Sequence, residues 1–68
     1  MHFMELYVAR DKDGILTLFP CKPYCSESGV WYGETDGRDL VLDKNLLPEV
    51  TFENSPIEVK LIYENGKY

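Results

Sequence analysis

Apolar and polar residues alternate with a period close to two along most of this chain. That spacing puts successive side chains on opposite faces of a β-strand. In residues 3–10, FMELYVAR, Met4, Leu6 and Val8 fall on one face and Phe3, Glu5, Tyr7 and Ala9 on the other. DKDG follows at 11–14. Asp and Gly are turn formers, and Gly14 takes positive φ at no steric cost. ILTLF at 15–19 resumes the apolar run, so 3–19 predicts a β-hairpin. Pro20 and Pro23 end its second strand, because proline cannot donate to an interior ladder.

The next stretch, 19–29, reads FPCKPYCSESG and predicts a loop from Cys21 onward. VWYGE at 30–34 predicts a third strand, TDG at 35–37 a second Asp-Gly turn, and RDLVLD at 38–43 a fourth strand. Together these read as a second hairpin. DKNLLPEV at 43–50 suits one helical or 3-10 turn, with Asp43 a candidate N-cap and Pro48 limiting its length. TFENSP is rich in turn residues, with Phe52 expected to anchor it to the core. Pro56 opens IEVKLIY at 57–63, where Ile57, Val59, Leu61 and Tyr63 share one face and Glu58 and Lys60 the other. Residues 64–68 read as a frayed tail. The fold class predicted is all-β: a small five-stranded antiparallel sheet or a partly open SH3-like barrel, with one short helical or 3-10 turn. The likeness to SH3-like barrels is one of element order, which does not fix function.

A chain of 68 residues makes a single small domain, 1–68. At that size only about 60% of the unfolded surface can be hidden, so nearly every apolar side chain is needed. The 44% hydrophobic content and nine aromatics suffice for a core and argue against disorder. Twelve acids against seven bases give a net charge of −5, spread from Glu5 to Glu64. A scattered acidic surface favours solubility and opposes direct binding to nucleic acid, which needs clustered Lys and Arg. No run is long and apolar enough to cross a membrane. The start, MHFMELYVARD, has no basic run before an apolar core and does not read as a signal peptide. The expected location is cytoplasmic, where thiols stay reduced.

Cys21 and Cys25 draw attention first, as C-x3-C. Structural zinc takes four ligands, and the chain adds only His2, beside the N-terminus, so a carboxylate would have to complete the set. A thioredoxin-type pair needs C-x-x-C at a helix N-terminus, and neither feature is predicted here. A disulfide is open on geometry but disfavoured in a reducing compartment. Ordinary loop thiols are the expected reading, and no metal or cofactor is expected. The Asp-x-Asp-Gly of DKDG resembles part of a calcium loop. With Gly14 aligned to the loop glycine, Ala9 and Pro20 fall where acidic ligands belong. A turn accounts for those residues. With one histidine beside the terminus and no Gly-rich phosphate loop, the expectation is no enzyme.

Aromatics are the remaining signal. Trp31 and Tyr32 are adjacent, so in a strand one ring faces inward and the other outward. With Tyr24 and Tyr7 the outward ring could make a surface patch, and aromatics are favoured at binding sites. Tyr24, Trp31 and Tyr7 are the candidate binding residues.

ELYVARDKDGILTLF, VWYG and LDKNLLPEVTFENSPIEVKLI together resemble a family of short uncharacterised proteins from Bacteroides-type gut bacteria and their mobile elements. The resemblance implies no activity, cofactor or functional residue, and the C-x3-C pair is not part of its pattern. The expected function is a small cytoplasmic, non-catalytic interaction or accessory module with a protein partner, itself a monomer or weak homodimer. The alternative is an acidic mobile-element protein that inhibits a nucleic-acid-binding enzyme by presenting carboxylates to its basic groove.

Overall fold

Residues 11–15 and 26–30 make two turns of the same design, and these turns organise the chain. In the first, the Asp11 N–H donates to the Ile15 carbonyl at 2.8 Å and Gly14 N–H to the Asp11 carbonyl at 2.9 Å. In the second, Ser26 N–H donates to Val30 O at 2.9 Å and Gly29 N–H to Ser26 O at 3.1 Å. Each closes on a glycine in the left-handed region, φ 98° at Gly14 and 85° at Gly29, where a side chain would strain the backbone. The Lys12 N–H joins the turns by donating to Gly29 O at 2.9 Å.

The computed structural model describes residues 2–34 and 38–63. Its strands are β1 (His2–Arg10), β2 (Leu16–Phe19), β3 (Tyr24–Cys25), β4 (Trp31–Tyr32), β5 (Leu40–Leu42) and β6 (Ile57–Tyr63). They form an antiparallel four-stranded sheet in the order β5-β2-β1-β6 and a two-stranded ribbon, β3-β4. The all-β expectation is met, and the sheet is not closed into a barrel. Hairpin β1-β2 forms around 11–14 as predicted, and β6 has the predicted bounds. Three details differ. The second hairpin is β3-β4, closed by SESG, so part of the predicted loop is strand. β5 adds to β2 instead of pairing with β4, because Leu40 and Leu42 then lie across from Leu18 and Leu16. Residues 43–50 form no helical turn. They make two successive β-turns, with Leu46 N–H to Asp43 O at 3.0 Å and Val50 N–H to Leu47 O at 2.9 Å. Asp43 does cap locally, accepting the Asn45 N–H at 2.8 Å. The predicted TDG turn at 35–37 and the tail at 64–68 lie outside the described residues.

Both faces of the sheet carry buried side chains. On the first, Val8, Leu16 and Val50 form a buried cluster against which Leu18, Leu42, Ile57 and Val59 pack. On the second, Ala9, Thr17 and Phe19 are buried. Gly33 helps to cover them: a Cβ there would sit 3.2 Å from the Phe19 ring and 3.1 Å from an Asp39 carboxylate oxygen. Glycine is what lets the chain pass so close.

Val50 reaches the core because Arg10 holds the segment above it. The guanidinium donates to five backbone carbonyls: Nε to Val50, Nη1 to Gly14 and Lys44, and Nη2 to Leu46 and Leu47. Leu47 is a non-glycine residue at φ 51°. That conformation costs on the order of 1 kcal/mol, and Leu47 keeps its carbonyl on Nη2 at 3.0 Å. Beyond it, Thr51 and Asn54 exchange hydrogen bonds between side chains and backbone N–H groups, at 2.7 and 3.2 Å. This is the reciprocal arrangement of a capping box. Ser55 Oγ accepts the Arg10 backbone N–H at 2.9 Å, and the Ser55–Pro56 peptide is cis. Among the described residues no helix is long and apolar enough to cross a membrane.

Candidate functional site: the tyrosine ribbon

The β3-β4 ribbon is only two residues long on each side, and an isolated two-stranded pair is marginal in water. It is held by its turn, by the Lys12 N–H bond to Gly29 O, by the packing of Trp31 on Phe52 and by one buried side chain. Within the turn, Ser26 Oγ accepts the Val30 N–H at 3.2 Å and lies 3.0 Å from Ser28 Oγ. At the base, Asp11 is 8% exposed, and its Oδ1 accepts the Trp31 N–H at 2.8 Å. Asp11 thus fastens the ribbon to the first hairpin turn.

Pairing Tyr24 with Tyr32 and Cys25 with Trp31 puts the two tyrosines on one face of the ribbon and Trp31 on the other. The tyrosine rings lie 5.9 Å apart at 40°, within the range of favourable aromatic pairs. They are 47% and 52% exposed. Tyr24 OH donates to Glu34 Oε1 at 2.8 Å. That bond to the Glu34 carboxylate, then the carboxylate's charge, hold the phenol above its ordinary pKa, with smaller contributions from partial burial, Tyr32 and Cys21. Tyr24 therefore stays protonated through neutral pH, its hydroxyl fixed and its ring turned to solvent.

Trp31 packs with Phe52, ring centroids 6.4 Å apart at 56°. Its Nε1 is buried, with no hydrogen-bond partner among the described residues. Lys12 Nζ lies 5.5 Å over the Phe52 ring, in cation–π range. Beside these groups is an open cleft of about 340 Å³ lined by Arg10, Asp11, Lys12, Pro48, Val50 and Phe52, among others. Arg10 has no donor to offer there, since all its N–H groups are taken by carbonyls.

The three candidate binding residues do not form one patch. Tyr24 is on the exposed face of the ribbon, and Trp31 is part of its attachment. Tyr7 is half-buried in β1, across from Phe19 and Glu58. Tyr32 and Glu34 are the neighbours that complete the exposed face. Their sequence signal is the spacing of Tyr24 and Tyr32 on either side of SESG, legible once that run is taken as a hairpin turn.

Cys21 and Cys25 are exposed free thiols. Among the described residues no three His, Cys, Asp or Glu side chains gather as metal ligands. The acids of DKDG are occupied with backbone: Asp11 with Trp31, and Asp13 Oδ1 with the Ile15 N–H at 3.2 Å. Comparison with protein-family models, curated proteins and solved structures gives no match to this chain.

Proposed function

We propose that this protein is a small cytoplasmic, non-catalytic interaction module, and that the Tyr24–Tyr32 face of the ribbon engages a partner protein. The observation that carries the reading is the pair itself: two rings in contact, each about half exposed, one pinned through its hydroxyl to Glu34. Rigid tyrosines supply large amphipathic contact area at low entropic cost, which is why they recur at binding hot spots. The alternative, a surface of carboxylates offered to a basic groove, has less support. Asp11, Asp13 and Asp43 each spend an oxygen on a backbone N–H.

The test compares proteins captured from a Bacteroides-type lysate by the native chain and by the Tyr24→Ala/Tyr32→Ala variant, at low and high salt. Selective loss of a captured protein with the double variant is expected. Capture that is indifferent to both rings but abolished by salt would favour the carboxylate reading instead.

A further inference from the structure

β6 is an outer strand of the sheet, hydrogen-bonded to β1, and among the described residues no strand pairs with its other edge along the seven residues of Ile57–Tyr63. Near its end, Leu61 and Ile62 point to opposite faces and are 52% and 56% exposed. Such an edge is a template for another strand. Its side chains say which strand fits.

A strand that pairs antiparallel with a copy of itself does so about a two-fold axis, with one residue facing its own counterpart. Centring on Glu58 would set carboxylate against carboxylate, and centring on Lys60 would set ammonium against ammonium. Like charges directly opposite are destabilising. Centring on Val59 sets Val59 against Val59, Ile57 against Leu61, and Glu58 against Lys60 twice over. The apolar pairs then extend the face that carries Val8 and Leu16 in each copy, and the charged pairs fall on the other face. There Glu58 neighbours Glu5 and its own chain's Lys60, which lies across from Glu5, so an incoming Lys60 brings a second cation to two carboxyl groups. Met4, opposite Leu61 on the apolar face and 57% exposed, lies next to the added surface.

We propose that β6 is a homodimerisation edge, pairing antiparallel with β6 of a second copy in the register centred on Val59 to give a continuous eight-stranded sheet. This is independent of the tyrosine ribbon.

The experiment is analytical ultracentrifugation of the full chain over a concentration series, with two single variants. Lys60→Glu and Glu58→Lys each put like charges opposite one another at both symmetric positions, and are expected to weaken the dimer about tenfold or more. Mixing the two variants restores opposite charges throughout, and a 1:1 heterodimer is expected. Register is read by oxidation in a Cys21→Ser/Cys25→Ser background. Val59→Cys is expected to form a covalent dimer, because directly opposed residues lie about 4.5–5.5 Å apart, within disulfide reach. Leu61→Cys is expected not to, since its counterpart lies about 14 Å away along the strand. A chain that stays monomeric up to about 1 mM, where binding weaker than about 4 kcal/mol begins, overturns the proposal. So does a dimer indifferent to both charge variants, or equal crosslinking through positions 59 and 61.

Discussion

The Arg10 Nε–H donates to the Val50 carbonyl oxygen across 2.6 Å, linking the end of β1 to the residue that completes the core. The other four N–H groups of the same guanidinium hold Gly14, Lys44, Leu46 and Leu47. One side chain therefore does for 43–50 what a helix or a strand pairing would otherwise do for its carbonyls.

Arg10→Ala is expected to destabilise the fold by about 2–4 kcal/mol, since several carbonyls lose a charged donor and Val50 loses its tether. Arg10→Lys should recover little of this, because a flexible ammonium with three donors cannot fork to five carbonyls. Urea denaturation measures both. A Lys variant within about 0.5 kcal/mol of the native chain would show that charge, not the planar fork, is what matters.

Asp11→Ala leaves the Trp31 N–H without its acceptor and should cost about 1.5–3 kcal/mol. Asp11→Asn keeps an acceptor oxygen and should cost less. Because the bond fastens the ribbon, Trp31 fluorescence should shift to the red in the Ala variant before global unfolding. Equal losses in the two variants would mean that Asp11 acts through something other than this hydrogen bond.

Glu34 raises the Tyr24 pKa by accepting its hydroxyl proton and by its negative charge. Glu34→Gln should bring the phenol back down toward its ordinary value, as followed by ultraviolet difference titration. The ring contact with Tyr32 should persist, since it does not involve the carboxylate. An unmoved titration would separate the hydrogen bond from the shift.

Glu58 is held above its ordinary pKa, first by its hydrogen bond with Glu5 and then by the repulsion of that carboxyl's charge. The folded chain thus binds this proton more tightly than the unfolded chain. The stabilisation is fully present below the ordinary glutamate value, near 4.5, and is lost as pH rises through the raised folded value. Glu58→Gln should remove this contribution, so that stability falls less as pH rises above about 4.5, as followed by melting temperature against pH. A pH profile unchanged by the substitution would assign that slope to other carboxyls.

Much of this fold is readable in the chain because the signals are local. FMELYVAR and ILTLF alternate with period two around DKDG, and that turn needs only its own residues to close. IEVKLIY opens after a proline and keeps its alternation to Tyr63. SESGV carries the same cue as DKDGI, three polar residues, a glycine and a β-branched residue, and it closes the second hairpin in the same way. The candidate site was legible in part: Tyr24 stands out by composition, whereas Tyr32 and Glu34 become its neighbours only when β3 pairs with β4.

By itself, the sequence determined the β class, the first hairpin, the last strand and the positive-φ glycine of the first turn, all set by alternation and turn chemistry within a few residues. The tertiary structure decided the rest. LVL at 40–42 could pair with either neighbour, and only burial beside Leu16 and Leu18 sends it to β2. DKNLLPEV could have coiled into one helical turn, but Arg10, more than thirty residues away in sequence, takes its carbonyls and draws it into two β-turns. Which of Trp31 and Tyr32 faces solvent was likewise settled by partners outside the strand, Asp11 and Phe52. Each of these choices depends on groups that meet only after the sheet has formed, and no local pattern encodes them.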